Sequence, residues 1–141
     1  DMKFFKETTL NHHVIMGRKN FESIPHRFRP LPNRKNLIVS RNKKYVAENA
    51  IVTSSIEESL IIAKENQDKE PFIIGGGEIY KLALEKNLVD RIYLTRIHTY
   101  LIGDTFFPKL DESWKIISQK KYLKDKNHEY NFSFIVLEKN N

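Results

Sequence analysis

Several segments of this chain have residue types and spacing suited to gripping an anionic ligand. One is Phe72-Ile73-Ile74-Gly75-Gly76-Gly77-Glu78-Ile79-Tyr80, an apolar run ending in glycines that open a helical pattern. Without Cβ atoms the backbone can turn sharply and approach a ligand closely, while unpaired N–H groups at a helix start favour a phosphate. The spacing is neither a P-loop nor a dinucleotide fingerprint, and a tight strand–helix turn with no ligand would use the same triplet. A second segment, Val14-Ile15-Met16-Gly17-Arg18-Lys19-Asn20-Phe21-Glu22-Ser23-Ile24, again runs a strand into glycine, now followed by two cations. Arg18 and Lys19 suit a pyrophosphate by charge and hydrogen-bond direction, although a solvated pair reads equally well. Ser40-Arg41, closing the run Leu37-Ile38-Val39, offers a further anion contact. Open α/β sheets hold ligands at the carboxyl ends of their strands, so three such edges together weigh more than any one.

A different chemistry is suggested by Asp1 with Phe5 and by Pro30-Leu31-Pro32-Asn33-Arg34. An arginine in a proline-braced loop can meet a carboxylate bidentately. A helix presenting an acid and, four residues on, an aromatic ring could flank a flat, nitrogen-rich ring. Locally, a plain helix cap is the better reading of Asp1. His12, His13, His26, His98 and His128 lack metal-ligand spacing, so they read as surface or strand residues and no metal is expected. Asn131-Phe132-Ser133 matches a glycosylation acceptor but falls within an expected strand.

The elements that must position these residues follow from apolar periodicity. Residues 1–10 form a short amphipathic helix around Met2, Phe5 and Leu10. Apolar strand runs follow at Val14–Met16, Leu37–Ser40, Ala50–Thr53 and Pro71–Ile74, and Arg91–Ile97 alternates into a fifth. Ser55-Ile56-Glu57-Glu58 matches a capping box and opens a helix to about Lys64, and a second helix runs from Glu78 to Lys86. Trp114–Tyr122 and Tyr130–Leu137 bracket a polar turn as an antiparallel hairpin. The alternation predicts an α/β fold with a mixed, mainly parallel central sheet flanked by helices, plus that C-terminal hairpin.

Composition narrows the function classes. At 141 residues the chain is one domain in size, and 40% hydrophobic residues exclude wholesale disorder. Its longest apolar runs, Leu60–Ala63 and Phe134–Leu137, are too short to span a bilayer. Cysteine is absent, which removes thiol nucleophiles, disulfides and thiolate metal sites and fits a cytoplasmic protein. The net charge of +6 concentrates in two stretches, His26–Lys44 and Lys120–Lys126. The second reads as a solvated face. The first is interrupted by prolines and apolar residues, as a shaped anion site would be. Neither an aromatic-studded basic strand nor zinc spacing supports a nucleic-acid partner.

The whole chain resembles dihydrofolate reductase. The resemblance rests on six ordered stretches: Val14-Ile15-Met16-Gly17-Arg18-Lys19, Arg29-Pro30-Leu31-Pro32-Asn33-Arg34, Leu37-Ile38-Val39-Ser40-Arg41, Ile74-Gly75-Gly76-Gly77-Glu78-Ile79-Tyr80, Ile92-Tyr93-Leu94-Thr95 and Gly103-Asp104-Thr105-Phe106-Phe107-Pro108. It implies reduction of 7,8-dihydrofolate to tetrahydrofolate with NADPH in support of one-carbon and thymidylate metabolism, by a cytoplasmic monomer that antifolates would inhibit. By resemblance, Asp1 is the ionisable group of the pterin pocket, holding the ring's amino group and N3 and promoting protonation of N5, and Thr95 braces it. Met2, Phe5, Ile24 and Leu31 resemble the apolar walls around pterin and benzoyl ring, and Arg34 the partner of the glutamate α-carboxylate. Gly17, Arg18, Lys19, Asn20 and the turn Ile74, Gly75, Gly76, Gly77, Glu78, Ile79 resemble the cofactor's pyrophosphate contacts, with Tyr80 near the nicotinamide. Ser40 and Arg41 resemble the 2′-phosphate site. The family keeps the bond matching Gly75–Gly76 cis.

Asn20 stands where the family commonly has threonine, and Pro25–Phe28 is an insertion. The family's first strand, its mobile loop and a tryptophan near the pterin all precede the aspartate, and none stands before Asp1. The expectation is therefore a single, N-terminally incomplete dihydrofolate reductase-like domain. The alternative function is a catalytically incompetent fragment that at most binds nucleotide.

Overall fold

The computed structural model describes residues 2–98, 110–123 and 131–140. Cα packing divides the chain into two compact units, Asp1–Ala83 and Leu84–Asn141.

In the first unit, helix α1 (Met2–Thr9) precedes strand β1 (His13–Gly17). Helix α2 (Arg18–Ser23) follows directly, then a 3-10 turn at His26–Phe28 within the expected insertion. Strands β2 (Lys35–Val39) and β3 (Ile51–Thr53) lead into helix α3 (Ile56–Glu65), strand β4 (Phe72–Gly75) and helix α4 (Gly77–Glu85). The four strands form a wholly parallel sheet in the order β3-β2-β1-β4. The central strands are apolar without alternation because both faces are covered: Val14, Ile15, Met16, Leu37 and Ile38 are fully buried. Each such side chain contributes roughly 1.5–3 kcal/mol of burial free energy. Val14, Met16, Phe21, Ile38 and Ala47 form one core cluster, against which Ile24, Leu31, Tyr45, Phe72 and Ile74 pack.

Helix α3 begins where Ser55 caps it, its hydroxyl accepting from Glu58 N–H at 3.0 Å. Only half of the expected capping box forms. The Glu58 carboxylate turns instead to Ser54, accepting from its hydroxyl at 3.0 Å, because two adjacent serines compete for one carboxylate.

The second unit holds strands β5 (Arg91–His98), β6 (Trp114–Tyr122) and β7 (Asn131–Lys139), antiparallel in the order β5-β7-β6. The expected hairpin is thus joined by the fifth strand, and among the described residues the strands pair as two sheets. Strand β5 begins exposed Arg91, buried Ile92, half-buried Tyr93, which suits an antiparallel sheet with one wet face better than a doubly covered parallel one. Ile92, Ile135 and Leu137 form its core with Leu84, Val89, Leu94, Leu110 and Trp114. The Gly103–Pro108 motif, residues 124–126 of the basic stretch, His128, and Tyr130 at the expected start of the last strand lie outside the described residues.

Candidate functional site

Strands β1 and β4 run parallel and end side by side in glycine. Their register shifts between Ile15 and Met16: Ile15 faces Ile73, whereas Met16 faces Gly75. Ile74 is thus the extra residue, and the shift draws Gly75 up to the end of β1. There Gly17 lies so near α4 that a Cβ would stand 3.0 Å from Ile79 Cγ1. Gly75 has φ +134°, a region closed to residues with a side chain, and a Cβ on it would stand 3.3 Å from Asn20 Oδ1. The structure therefore brings the neighbours Gly17 and Asn20 against Gly75 and Ile79, a pair that lies far along the chain. The Gly75–Gly76 bond is cis, as the resemblance implied. Among the described residues a Cβ at Gly76 would meet nothing within 4 Å, so they leave the backbone open to an incoming group at this point. Gly77 and Glu78 form the exposed first turn of α4, whose ladder begins with Tyr80 N–H on Gly76 O at 2.9 Å. Burial pushes the Tyr80 phenol pKa up.

The cations sit around this edge. Arg18 donates from Nε to Glu22 at 3.0 Å and lies 4.5 Å from the centre of the Tyr45 ring, which ties the start of α2 to the loop after β2. An exposed pair of this kind contributes about 0.5 kcal/mol or less. Lys19 and Arg41 are exposed. Ser40 is buried: its N–H donates to Thr53 O at 3.0 Å and its hydroxyl accepts from Asn42 N–H at 3.1 Å, leaving its own proton to donate. Open backbone, an adjacent amide and these cations fit a diphosphate-bearing cofactor.

Arg34 and Phe5 also meet. The guanidinium donates from Nε to Pro32 O at 2.9 Å and from Nη1 to Thr9 Oγ1 at 3.1 Å, and it lies 5.8 Å from the Phe5 ring centre. It is half-buried, and burial pulls its pKa down from the ordinary value, yet no carboxylate among the described residues pairs with it. Arginine stays charged regardless, so this cation is poised for an anion. Ile24 and Leu31 are half-buried against the core cluster. Asp1 and the Met2 side chain lie outside the described residues, and Thr95 is half-buried on β5 in the second unit.

Sequence reasoning missed two groups. Asn36, only 3% exposed, braces the loop before β2: its Oδ1 accepts from Leu31 N–H at 2.8 Å and its Nδ2 donates to Leu31 O and Arg34 O, both at 3.0 Å. A lone amide inside an apolar strand was the available signal. The other is Asp68, whose carboxylate accepts from His12 Nδ1, His13 Nδ1 and the His13 and Glu70 N–H groups at 2.5–2.9 Å. Burial raises its pKa, but those hydrogen bonds outweigh burial and hold it down at about 2. This cluster lies at the amino ends of β1 and β4, away from the glycine edge.

A parallel α/β sheet with glycine turns, cations and an open backbone at its carboxyl edge is the architecture of a protein that holds an anionic ligand at its strand ends. The family model described as dihydrofolate reductase matches residues 1–139. A dihydrofolate reductase of Bacillus subtilis (strain 168) is 40% identical over 142 residues, covering 100% of this chain and 80% of that relative. One from Buchnera aphidicola subsp. Acyrthosiphon pisum is 42% identical, covering 97% and 82%. The solved dihydrofolate reductase from Enterococcus faecalis, complexed with NADP(H) and RAB-propyl, superposes with a TM-score of 0.85 at 34% identity, covering 100% and 82%. The chain belongs to the dihydrofolate reductase family, and its reaction is the NADPH-dependent reduction of 7,8-dihydrofolate to tetrahydrofolate.

Proposed function

We propose that the residues above divide that reaction between a carboxylate anchor, a proton-delivering acid and a cofactor edge. The half-buried Arg34, held on neutral acceptors and lacking a carboxylate among the described residues, is the observation that carries the reading. Its remaining N–H groups receive the glutamate α-carboxylate of dihydrofolate, or the matching group of an antifolate. Met2, Phe5, Ile24 and Leu31 wall the pterin and benzoyl ring. Asp1 holds the pterin amino group and N3 and promotes protonation of N5, with Thr95 bracing it; a carboxylate does this best where water is excluded.

NADPH, when bound, supplies the hydride that goes to C6. Gly17, Asn20 and residues Ile74–Ile79 present backbone and an amide to the pyrophosphate, Arg18 and Lys19 add charge, and Tyr80 packs near the nicotinamide. Ser40 and Arg41 take the 2′-phosphate. The family match runs unbroken across both units, which supports treating the chain as one catalytic domain. It acts as a cytoplasmic monomer without a nucleic-acid partner. The absence of cysteine fits that setting, and no helix among the described residues is long and apolar enough to cross a membrane.

The test is Arg34→Ala. Removing a charge-assisted pair worth roughly 1.5–3 kcal/mol should raise KM for dihydrofolate about 10- to 100-fold with kcat little changed. An unchanged KM would remove Arg34 from the substrate site.

A further inference from the structure

Arginine carries five N–H groups in a rigid fork. In Arg34 the Nε–H is committed to Pro32 O and one Nη1–H to Thr9 Oγ1. The second Nη1–H and both Nη2–H groups have no partner among the described residues, and together they form the outer edge that meets a carboxylate side-on. Where that edge points is decided by two neutral side chains. Thr9 is buried, and its hydroxyl proton is already given to Phe5 O at 2.8 Å, so its oxygen can face Arg34 only as an acceptor. It therefore fixes Nη1 to α1. Asn36 fixes the other anchor: both of its amide protons and its carbonyl oxygen are spent on Leu31 and Arg34 backbone, on either side of Pro32. Since Asn36 sits in β2, paired with Val14 of β1, the loop bearing the guanidinium is referenced to the centre of the parallel sheet.

We propose that Thr9 and Asn36 are positioning residues that aim the Arg34 fork and thereby set how strongly the enzyme selects substrates bearing a carboxylate. The proposal rests on Arg34 as the carboxylate partner. A carboxylate fork must be held within about half an ångström and some 10–20° to engage both N–H groups. Two anchors on two elements supply that; one anchor would leave the guanidinium free to swing. Neither residue touches the reacting ring, so both act on binding rather than on hydride transfer.

The experiment compares kcat and KM on two substrates, dihydrofolate and 6-methyl-7,8-dihydropterin, which keeps the ring and lacks the carboxylates. Thr9→Val keeps the shape and removes the acceptor, and Thr9→Ser restores it. Expected for Thr9→Val is a roughly three- to tenfold rise in KM for dihydrofolate, kcat unchanged, no change on the dihydropterin, and recovery in Thr9→Ser. In Arg34→Ala the Thr9→Val change should add nothing further. Asn36→Ser, with folding checked by thermal melting, should show the same substrate split. Equal losses on both substrates, or an additive effect in the double variant, would overturn the proposal while leaving Arg34 in place. If Arg34→Ala itself leaves KM for dihydrofolate unchanged, the assignment of Arg34 falls and the proposal falls with it.

Discussion

Replacing Asp68 by Asn should cost stability in a pH-dependent way that can be worked from the structure. One carboxylate oxygen accepts from His12 Nδ1 and Glu70 N–H, the other from two groups of His13. An asparagine must put its NH2 where one of those oxygens was, facing donors, so hydrogen bonds are lost on that side whichever way the amide turns. With the Asp68 side chain 6% exposed, about 2–4 kcal/mol of destabilisation at neutral pH is expected. The carboxyl pKa is held down from 3.8 to about 2, so its contribution is fully present above the unfolded value and is lost as pH falls through the folded one. That shift corresponds to roughly 2 kcal/mol, about half of it gone by pH 3. Urea unfolding of wild type and variant at pH 7, 5 and 3 reads this directly, and the interval from 5 to 3 is the one that spans the carboxyl shift. The stability gap should narrow by about 1 kcal/mol from pH 5 to 3. Because the cluster lies at the amino ends of β1 and β4, kcat of the folded variant should match wild type. Equal stability at pH 7, or a gap that ignores pH below 5, would refute the reasoning.

Three further outcomes are expected. Gly75→Ala, forced to φ +134° with its Cβ 3.3 Å from Asn20 Oδ1, should lose about 1–3 kcal/mol of stability and bind NADPH more weakly; calorimetry showing neither would remove Gly75 from the cofactor edge. Arg41→Ala should narrow the preference for NADPH over NADH, read as the ratio of the two kcat/KM values, and an unaltered ratio would take Arg41 out of the 2′-phosphate site. Asp1→Asn should slow hydride transfer at neutral pH on the order of 100-fold or more and recover partly at low pH, where substrate arrives protonated; an unchanged rate would end its assigned role.

Much of the fold was legible because its strands are unambiguous. The runs around Val14, Leu37 and Ile73 are apolar on both faces, a pattern that suits doubly covered parallel strands. The glycine edge was legible as well, since Gly17 and Gly75 each end a strand. What the sequence could not show was the Ile15/Met16 register shift that sets Gly75 against Met16 and beside Asn20. Nor could it show where lone polar groups would find partners. Asp68 lies 55 residues from His13, and the Thr9–Arg34 bond spans 25, so no local spacing announces either. Ser54 beside Ser55 took the Glu58 carboxylate because a four-residue pattern does not rank two equivalent neighbours.

The most direct test of the central claim is NADPH oxidation by the purified chain as a function of added 7,8-dihydrofolate. Saturable turnover is expected, with one tetrahydrofolate formed per NADPH consumed and little activity with NADH. A folded chain that binds NADPH yet gives no dihydrofolate-dependent oxidation would contradict it.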